Sequence, residues 1–199
     1  MQRLIVYAGP NGSGKSTIRD IAGDLVDVTI DPDRIARSLE RVHAGRADVE
    51  AGKAAIRLFR SALAQRQSIS LESTLTGSTI LARMNSAKAA GYEVSLYYVA
   101  LIDPSRNVAR VAARVANGGH HIPEDVIRRR VAASQDNLAA ALVIADHATV
   151  YDNSGSTPQH LLTVTRRRVL FEATPLPDWL QTRMPGIRAA LAAGPHQGE

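Results

Sequence analysis

The stretch GPNGSGKST, residues 9–17, constrains the fold of this 199-residue chain more than any other feature. It matches the pattern G-x-x-x-x-G-K-[ST] in full, follows the apolar run RLIVYAG and opens a helix-like segment at residues 16–23. A strand, this loop and a helix in that order form a phosphate-binding loop, or P-loop. The pattern therefore predicts an α/β domain that binds a nucleotide.

Each residue type in the loop has a physical role. Gly9, Gly12 and Gly14 let the backbone turn so that successive N–H groups face a phosphate, and the following helix adds its dipole. Lys15 is expected to reach the β- and γ-phosphates of ATP, and the Ser16 hydroxyl to bind Mg²⁺. We expect the cofactor to contact the whole loop: Gly9, Pro10, Asn11, Gly12, Ser13, Gly14, Lys15, Ser16 and Thr17.

The rest of the chain alternates strand-like and helix-like segments, which predicts a doubly wound, mainly parallel sheet of the P-loop NTPase class with a helical lid. Strand-like runs are RLIVYAG, DVTID, SISLES, EVSLYYVALI and ATVYDNS. Further helices are predicted at residues 33–42, 48–66, 79–90, 104–116 and 123–145. Ligands in such sheets bind at the carboxyl ends of the strands.

The pattern of the tail is weaker. LLTVTRRRVLFEATP predicts one more strand or a hairpin, and PDWLQTRMPGIRAALAA predicts a helix interrupted by Pro185. The length suits one domain. We therefore predict a single kinase-like domain with a core at about 1–155 and an appendage of strand and helix at about 156–195.

Composition narrows the classes of function. The absence of cysteine excludes disulfide and thiolate chemistry. A net charge of +5 suits nucleic acid or a ligand with several phosphates, but two Phe, five Tyr and one Trp offer few stacking platforms, so no nucleic-acid partner is predicted. No membrane-spanning run or signal-peptide pattern is present, which predicts a cytoplasmic protein without a membrane partner.

The stretch VTIDPDRIAR places two acids at the end of the second predicted strand. Asp31 directly precedes Pro32, and this order favours a helix cap followed by proline at the first helical position. Asp33 is less suited to capping. We predict that Asp33 accepts the proton of an attacking hydroxyl group.

SISLESTLTGST ends the third predicted strand in a carboxylate followed by hydroxyl side chains. Thr76 or Ser78 is expected to cap the next helix. That structural role does not explain Glu72. An acid at a strand's carboxyl end suits a polyhydroxylated acceptor, so Glu72 and Thr74 are predicted to bind the substrate.

Residues 110–138, RVAARVANGGHHIPEDVIRRRVAASQDNL, read as helix, loop and helix, and we call them the lid. A single arginine on a helix is usually solvated, but the cluster suits a mobile lid that brings cations onto a phosphoryl group. His120 and His121 are adjacent and lack a nearby third ligand, so zinc is not expected. The cations of the lid are Arg110, Arg114, His120, His121, Arg128, Arg129 and Arg130.

Two other classes of nucleotide-binding protein fit less well. GTPases carry an N-K-x-D element, which is absent, and motor ATPases carry a strand ending in Asp-Glu, whereas LYYVALID ends in Asp103 without a second acid. A small-molecule kinase is the leading hypothesis. The alternative is an ATPase or nucleotide switch that acts through a protein partner.

Four pieces together carry a resemblance to the zeta-toxin-like family of P-loop kinases: GPNGSGKST, IDPDRIA, LESTL and the lid sequence from Arg114 onward. Their order matches the family over about the first 140 residues. The resemblance implies an ATP- and Mg²⁺-dependent phosphotransferase whose best-known members phosphorylate the 3′-hydroxyl of UDP-N-acetylglucosamine. It also implies an antitoxin partner, which for this basic chain would be acidic.

The resemblance carries over to individual positions. It implies that Asp33 is the catalytic base, that Glu72 holds the sugar nucleotide, and that Lys15, Ser16 and Arg114 act on the ATP phosphates and magnesium. The second lid arginine of the best-known toxins has no direct counterpart, because His121 stands at its place. Arg130 takes that role, or His121 donates instead. A branch of the family described as ATPases also shares the GGHHIP form.

Overall fold

The computed structural model describes residues 1–40, 47–117 and 121–193. The strands in this part of the chain are β1 (Arg3–Ala8), β2 (Val28–Ile30), β3 (Ile69–Ser73), β4 (Glu93–Ala100), β5 (His147–Asp152), β6 (Gln159–Thr165) and β7 (Arg168–Glu172). The helices are α1 (Lys15–Ala22), α2 (Pro32–Glu40), α3 (Ala47–Ala64), α4 (Ser78–Ala89), α5 (Pro104–Ala116), α6 (Glu124–Asp136), α7 (Leu138–Ile144), α8 (Asp178–Gln181) and α9 (Met184–Ala192).

The seven strands form one sheet in the order β2-β3-β1-β4-β5-β6-β7. The first five in that order pair in parallel, whereas β6 and β7 pair antiparallel. This confirms the predicted mainly parallel α/β fold. The tail forms a hairpin, one of the two forms that its sequence predicted.

Apolar side chains of β1 pack alternately on the two faces of the sheet, as the period-two geometry of a strand requires. Leu4 and Val6 join a large core that also contains side chains of α3, α4, α7 and α9. Ile5 and Tyr7 join a smaller cluster with Ile18 of α1. Within the described residues, no helix is both long and apolar enough to cross a bilayer.

The register of the parallel strands determines which loops meet. Ala8 at the end of β1 pairs with Ser73 of β3, and Ile30 at the end of β2 pairs with Leu71. The P-loop, Asp31 and Glu72 therefore emerge at the same edge of the sheet. This is the edge at which open α/β sheets bind their ligands.

Three sequence predictions about the helices need correction. The single helix predicted at 123–145 is two helices, because Asn137 ends α6 and donates its side-chain amide to the Leu75 carbonyl at 2.9 Å. Neither Thr76 nor Ser78 caps α4, whose N-cap is Gly77 without a side-chain hydrogen bond. Pro185 lies in the first turn of α9, where its missing N–H costs nothing, so the interruption precedes it.

Part of the predicted segmentation falls outside the described residues. The predicted second helix extended to residue 42, and the predicted break in the lid used Asn117 and residues 118–119. Of these, Asn117 is described and ends α5, as predicted. The second helix of the lid, α6, begins directly after Pro123 and has two acids in its first turn, as predicted.

Candidate active site

The P-loop between β1 and α1 has a backbone that needs glycine. Gly9 has φ 141° and Gly14 has φ 93°, values in the left-handed region that side chains disfavour. A Cβ atom at Gly9 would lie 2.0 Å from the Val99 carbonyl oxygen, and one at Gly14 would lie 2.0 Å from the Asn153 side-chain nitrogen. Both positions therefore exclude any larger residue without movement of the loop.

Two buried asparagines hold this loop from neighbouring elements. Asn107 of α5 donates to the Asn11 carbonyl at 2.7 Å, and Asn153 after β5 donates to the Ser13 carbonyl at 2.9 Å. Arg110 in turn donates to the Asn153 carbonyl at 2.8 Å. These bonds engage carbonyl groups and so occupy no N–H group of the loop. The Ser13 N–H donates to the Pro10 carbonyl at 3.2 Å, and the Gly9 N–H donates to the Ser73 carbonyl at 3.1 Å.

Lys15 is buried, with 8% of its surface exposed, and its ammonium group lies among oxygen atoms. Nζ donates to the Gly9 carbonyl at 2.9 Å and to the Pro10 carbonyl at 3.3 Å. The same atom lies 3.7 Å from Glu72 Oε1. Ser16 and Thr17, the next two residues of α1, are exposed.

Asp31 and Asp33 differ in their contacts. Asp31 Oδ1 accepts a hydrogen bond from the Arg34 backbone N–H at 3.0 Å, which is the capping role. Asp33 lies in the first turn of α2 with its side chain half-exposed. Its Oδ2 is 3.7 Å from Arg114 Nη1, and it makes no hydrogen bond with any other described residue.

Glu72 lies at the end of β3 between two cations. Its Oε1 faces Lys15 at 3.7 Å, and its Oε2 faces Arg19 Nη1 at 3.4 Å. Burial raises the pKa of this carboxyl above its ordinary value, and the charges of Lys15 and then Arg19 oppose that rise. Arg19 Nη1 also lies 3.9 Å from Asp31 Oδ2, so one guanidinium links the two acidic segments.

The described lid cations divide into two groups. Arg114 faces Asp33, and Arg130 Nη1 donates to the Asn11 side-chain oxygen at 2.9 Å. Arg128 and Arg129 instead pair with acids on their own helix, at 2.8 Å and 4.0 Å, and are exposed. His121 is exposed and lines a cavity, whereas His120 lies outside the described residues.

Two cavities open at this edge of the sheet. The P-loop cavity, about 460 Å³, is bounded by Gly12, Gly14 and the first three residues of α1 together with Arg110, Arg114, Asn153 and Ser156. The lateral cavity, about 400 Å³, is bounded by residues of β3, α2, α3 and the lid, among them Thr74 and His121. Four residues line both cavities: Asn11, Lys15, Asp33 and Glu72.

The shared wall has the composition of a group-transfer site. It brings together the buried Lys15, the half-exposed carboxylate of Asp33 and the mostly buried carboxylate of Glu72. Arg114 approaches it from the P-loop cavity, and Arg130 lines the lateral cavity. Such an arrangement can hold phosphates on one side and a hydroxyl group on the other, with a carboxylate between them to accept a proton.

Four residues of the site were missed by sequence reasoning: Arg19, Arg83, Asn107 and Asn153. Asn153 follows β5 in the run YDNS, so the strand-end rule that identified Glu72 would have found it. The other three lie within helices, where a functional residue has no local signal. Their positions depend on how the helices pack.

The chain is similar to known proteins over most of its length. The model of the Zeta toxin family matches residues 2–161. An uncharacterized protein of Haemophilus influenzae is 43% identical over 128 residues, which are 64% of this chain and 91% of that protein.

Solved structures show the same fold at low sequence identity. The crystal structure of AvrRxo1-ORF1:-ORF2 with ATP has a TM-score of 0.68 and 15% identity, covering 100% of this chain and 66% of that chain. The PezAT chromosomal toxin-antitoxin system of Streptococcus pneumoniae has a TM-score of 0.59 and 19% identity, covering 97% of this chain and 88% of that chain.

Proposed function

The chain belongs to the Zeta toxin family and is a kinase-type phosphotransferase that binds ATP, and we propose that its acceptor is a hydroxyl group of a UDP-activated amino sugar, such as UDP-N-acetylglucosamine. One observation carries the proposal. The P-loop cavity and the lateral cavity meet at Lys15, Asp33 and Glu72. A donor and an acceptor bound in the two cavities would therefore meet at a cation and two carboxylates.

On the donor side, the loop N–H groups and the start of α1 hold the β- and γ-phosphates of ATP. Lys15 exchanges its contacts with the Gly9 and Pro10 carbonyls for phosphate oxygens. Arg114 adds a second cation, since it lines the P-loop cavity and its side chain is partly exposed there. Arg130 or His121 supplies a third from the lateral cavity.

Magnesium fits this donor set. An Mg²⁺ ion that accompanies ATP is bound mainly by phosphates and water, with one or two oxygen atoms of the protein. Ser16 is the protein ligand, because its exposed hydroxyl lines the P-loop cavity. When bound, Mg²⁺ supplies charge neutralisation on the phosphates.

On the acceptor side, Asp33 accepts the proton of the attacking hydroxyl group. The hydroxyl oxygen bonds to the γ-phosphorus, the bond from that phosphorus to the β,γ-bridging oxygen breaks, and ADP leaves. Glu72 accepts hydrogen bonds from the acceptor and orients it, and Thr74 lies beside it in the same wall. Positioning and electrostatic stabilisation supply most of the rate.

We also propose an acidic protein partner that covers the P-loop cavity. The net charge is +5, and arginines border this cavity. PezAT, which shares the fold, is described as a toxin-antitoxin system. A partner with acidic side chains would pair with Arg110 and Arg114 and exclude ATP.

The proposal is tested by ATP consumption over a panel of UDP-sugars, nucleosides and small alcohols, with product masses determined. We expect consumption that depends on the acceptor, and a gain of one phosphate on UDP-N-acetylglucosamine. Consumption that is independent of every acceptor, and that a protein partner stimulates, would instead establish the ATPase or switch alternative.

Replacing Arg19 with Gln is expected to move the acid limb of the pH profile of kcat/KM to higher pH. Glu72 accepts hydrogen bonds from the acceptor in its ionised form, and its pKa is already raised by burial. Arg19 lowers that pKa, so its removal raises the pKa further. Activity would then be lost at a higher pH as the pH falls.

The measurement is kcat/KM for the acceptor over a pH series, with Arg60→Gln as the control. Arg60 is an exposed arginine of α3 that lines neither cavity, so its removal should leave the limb in place. An unchanged acid limb in Arg19→Gln would show that Glu72 does not determine it.

A further inference from the structure

Arg83 of α4 lines the lateral cavity, together with Glu72 and Thr74 of the preceding strand and loop. Its side chain is half-buried. It does not line the P-loop cavity. Arg83 therefore lies in a part of the wall that belongs to the lateral cavity alone.

Within the described residues, Arg83 makes no hydrogen bond and no ion pair. Its one specific contact is with Phe59 of α3, whose ring centroid lies 5.9 Å from the guanidinium carbon. Other cations at this edge have a polar partner in the protein. Lys15 and Arg19 face Glu72, and Arg114 faces Asp33. Arg130 donates to Asn11.

A half-buried guanidinium that pairs with no protein acceptor keeps its N–H groups available for a ligand. Burial lowers the pKa of Arg83, although arginine remains charged at neutral pH. The face of Phe59 offsets part of the cost of burial as a cation–π contact. The cation–π contact uses none of the five N–H donors, which have no acceptor among the described residues and which match the oxygen atoms of a phosphate or carboxylate.

We propose that Arg83 binds an anionic group of the acceptor, a phosphate or a carboxylate that is not the group being transferred. The inference rests on the proposed function, because it assigns the acceptor to the lateral cavity. The hydroxyl end of the acceptor lies at Asp33 and Glu72, and its anionic end lies at Arg83. Arg83 thereby selects charged acceptors over neutral ones of similar size.

The surroundings of Arg83 favour a ligand that has an anionic group at one end and an uncharged ring or sugar beside it. The residues that line the lateral cavity but not the P-loop cavity include small and apolar ones from α2, α3 and the lid: Ala36, Ala51, Gly52, Ile122, Pro123 and Val126. These side chains offer van der Waals contact to a ring or a sugar methyl group and no charge. Of the two arginines that line this cavity alone, Arg130 donates to Asn11, and Arg83 has no hydrogen-bond acceptor among the described residues. We therefore assign the anion to Arg83.

The test compares binding of matched acceptors by calorimetry, with the P-loop cavity filled by a non-hydrolysable ATP analogue. One pair is N-acetylglucosamine 1-phosphate and N-acetylglucosamine, and the other is glucuronate and glucose. The variants are Arg83→Gln, Arg83→Lys and, as a control, Arg129→Gln. Arg129 is an exposed arginine that lines neither cavity.

We expect Arg83→Gln to weaken binding of an anionic member about tenfold or more, as for a lost charge-assisted hydrogen bond, and to leave the neutral member unchanged. Arg83→Lys should fall between, because it keeps the charge without the planar fork. Arg129→Gln should behave as the wild type. The pair that responds identifies the anion as phosphate or carboxylate.

The outcomes separate this inference from the proposed function. Transfer to an anionic acceptor with equal binding by wild type and Arg83→Gln would overturn the role of Arg83 and leave the kinase intact. Binding that depends on Arg83 without any transfer would refute the proposed function and retain the anion site. Equal losses for anionic and neutral members, or no preference for anions in the wild type, would also overturn the inference.

Discussion

Replacing Asp33 with Asn is expected to lower kcat for phosphoryl transfer by about 10²- to 10⁴-fold while ATP affinity stays nearly unchanged. The amide has the same shape but cannot accept the proton of the attacking hydroxyl. Asp33 makes no hydrogen bond with other described residues, and its ion pair with Arg114 is half-exposed, so the fold should survive. The checks are kcat with a saturating acceptor and ATP affinity by calorimetry.

A matched control is Asp125→Asn. Asp125 is also an acid in the first turn of a helix and also pairs with an arginine, but it is exposed and lines neither cavity. Its replacement should leave kcat within about twofold, as for most surface changes. Full transfer activity in Asp33→Asn would remove Asp33 as the base.

Replacing Lys15 with Ala is expected to lower phosphoryl transfer by about 10²-fold or more, because it removes a preorganised cation from the γ-phosphate. ATP affinity should fall as well. Lys53→Ala is the control, since Lys53 is an exposed lysine that pairs with Glu50 and lines neither cavity. Thermal unfolding of both variants separates lost chemistry from lost fold.

The same pair of variants tests the role as a toxin. If transfer depletes an essential UDP-sugar, expression of the wild type should arrest growth. Expression of the control Lys53→Ala should arrest growth as well, whereas expression of Lys15→Ala should not. Harmless expression of the wild type would count against a toxin. Full activity of Lys15→Ala in vitro would contradict the assignment of the P-loop lysine itself.

The parts of the site that follow strands could be predicted from the sequence. The P-loop, Asp33 and Glu72 each come directly after a run with strand character, and parallel strands place their carboxyl ends together. The capping role of Asp31 was also readable, because helix caps are local and the residue precedes a proline.

Contacts that depend on packing could not be predicted. Arg83 lies in α4, eleven residues after Glu72 of β3. No periodicity in the sequence distinguishes a helical arginine that faces a cavity from one that faces solvent. The division of the helix predicted at 123–145 has the same origin, because the Asn137 side chain bonds to a carbonyl in the loop after β3. Asn107 reaches Asn11 across 96 positions of sequence.

The fate of the γ-phosphoryl group in a single turnover tests the central claim most directly, namely that donor and acceptor meet where the two cavities share Lys15, Asp33 and Glu72. Excess protein is mixed with γ-labelled ATP, Mg²⁺ and UDP-N-acetylglucosamine, and the products are separated. We predict that the label moves to the sugar nucleotide in the wild type and stays on ATP in Asp33→Asn. Label released as inorganic phosphate, at the same rate with and without an acceptor, would contradict the account.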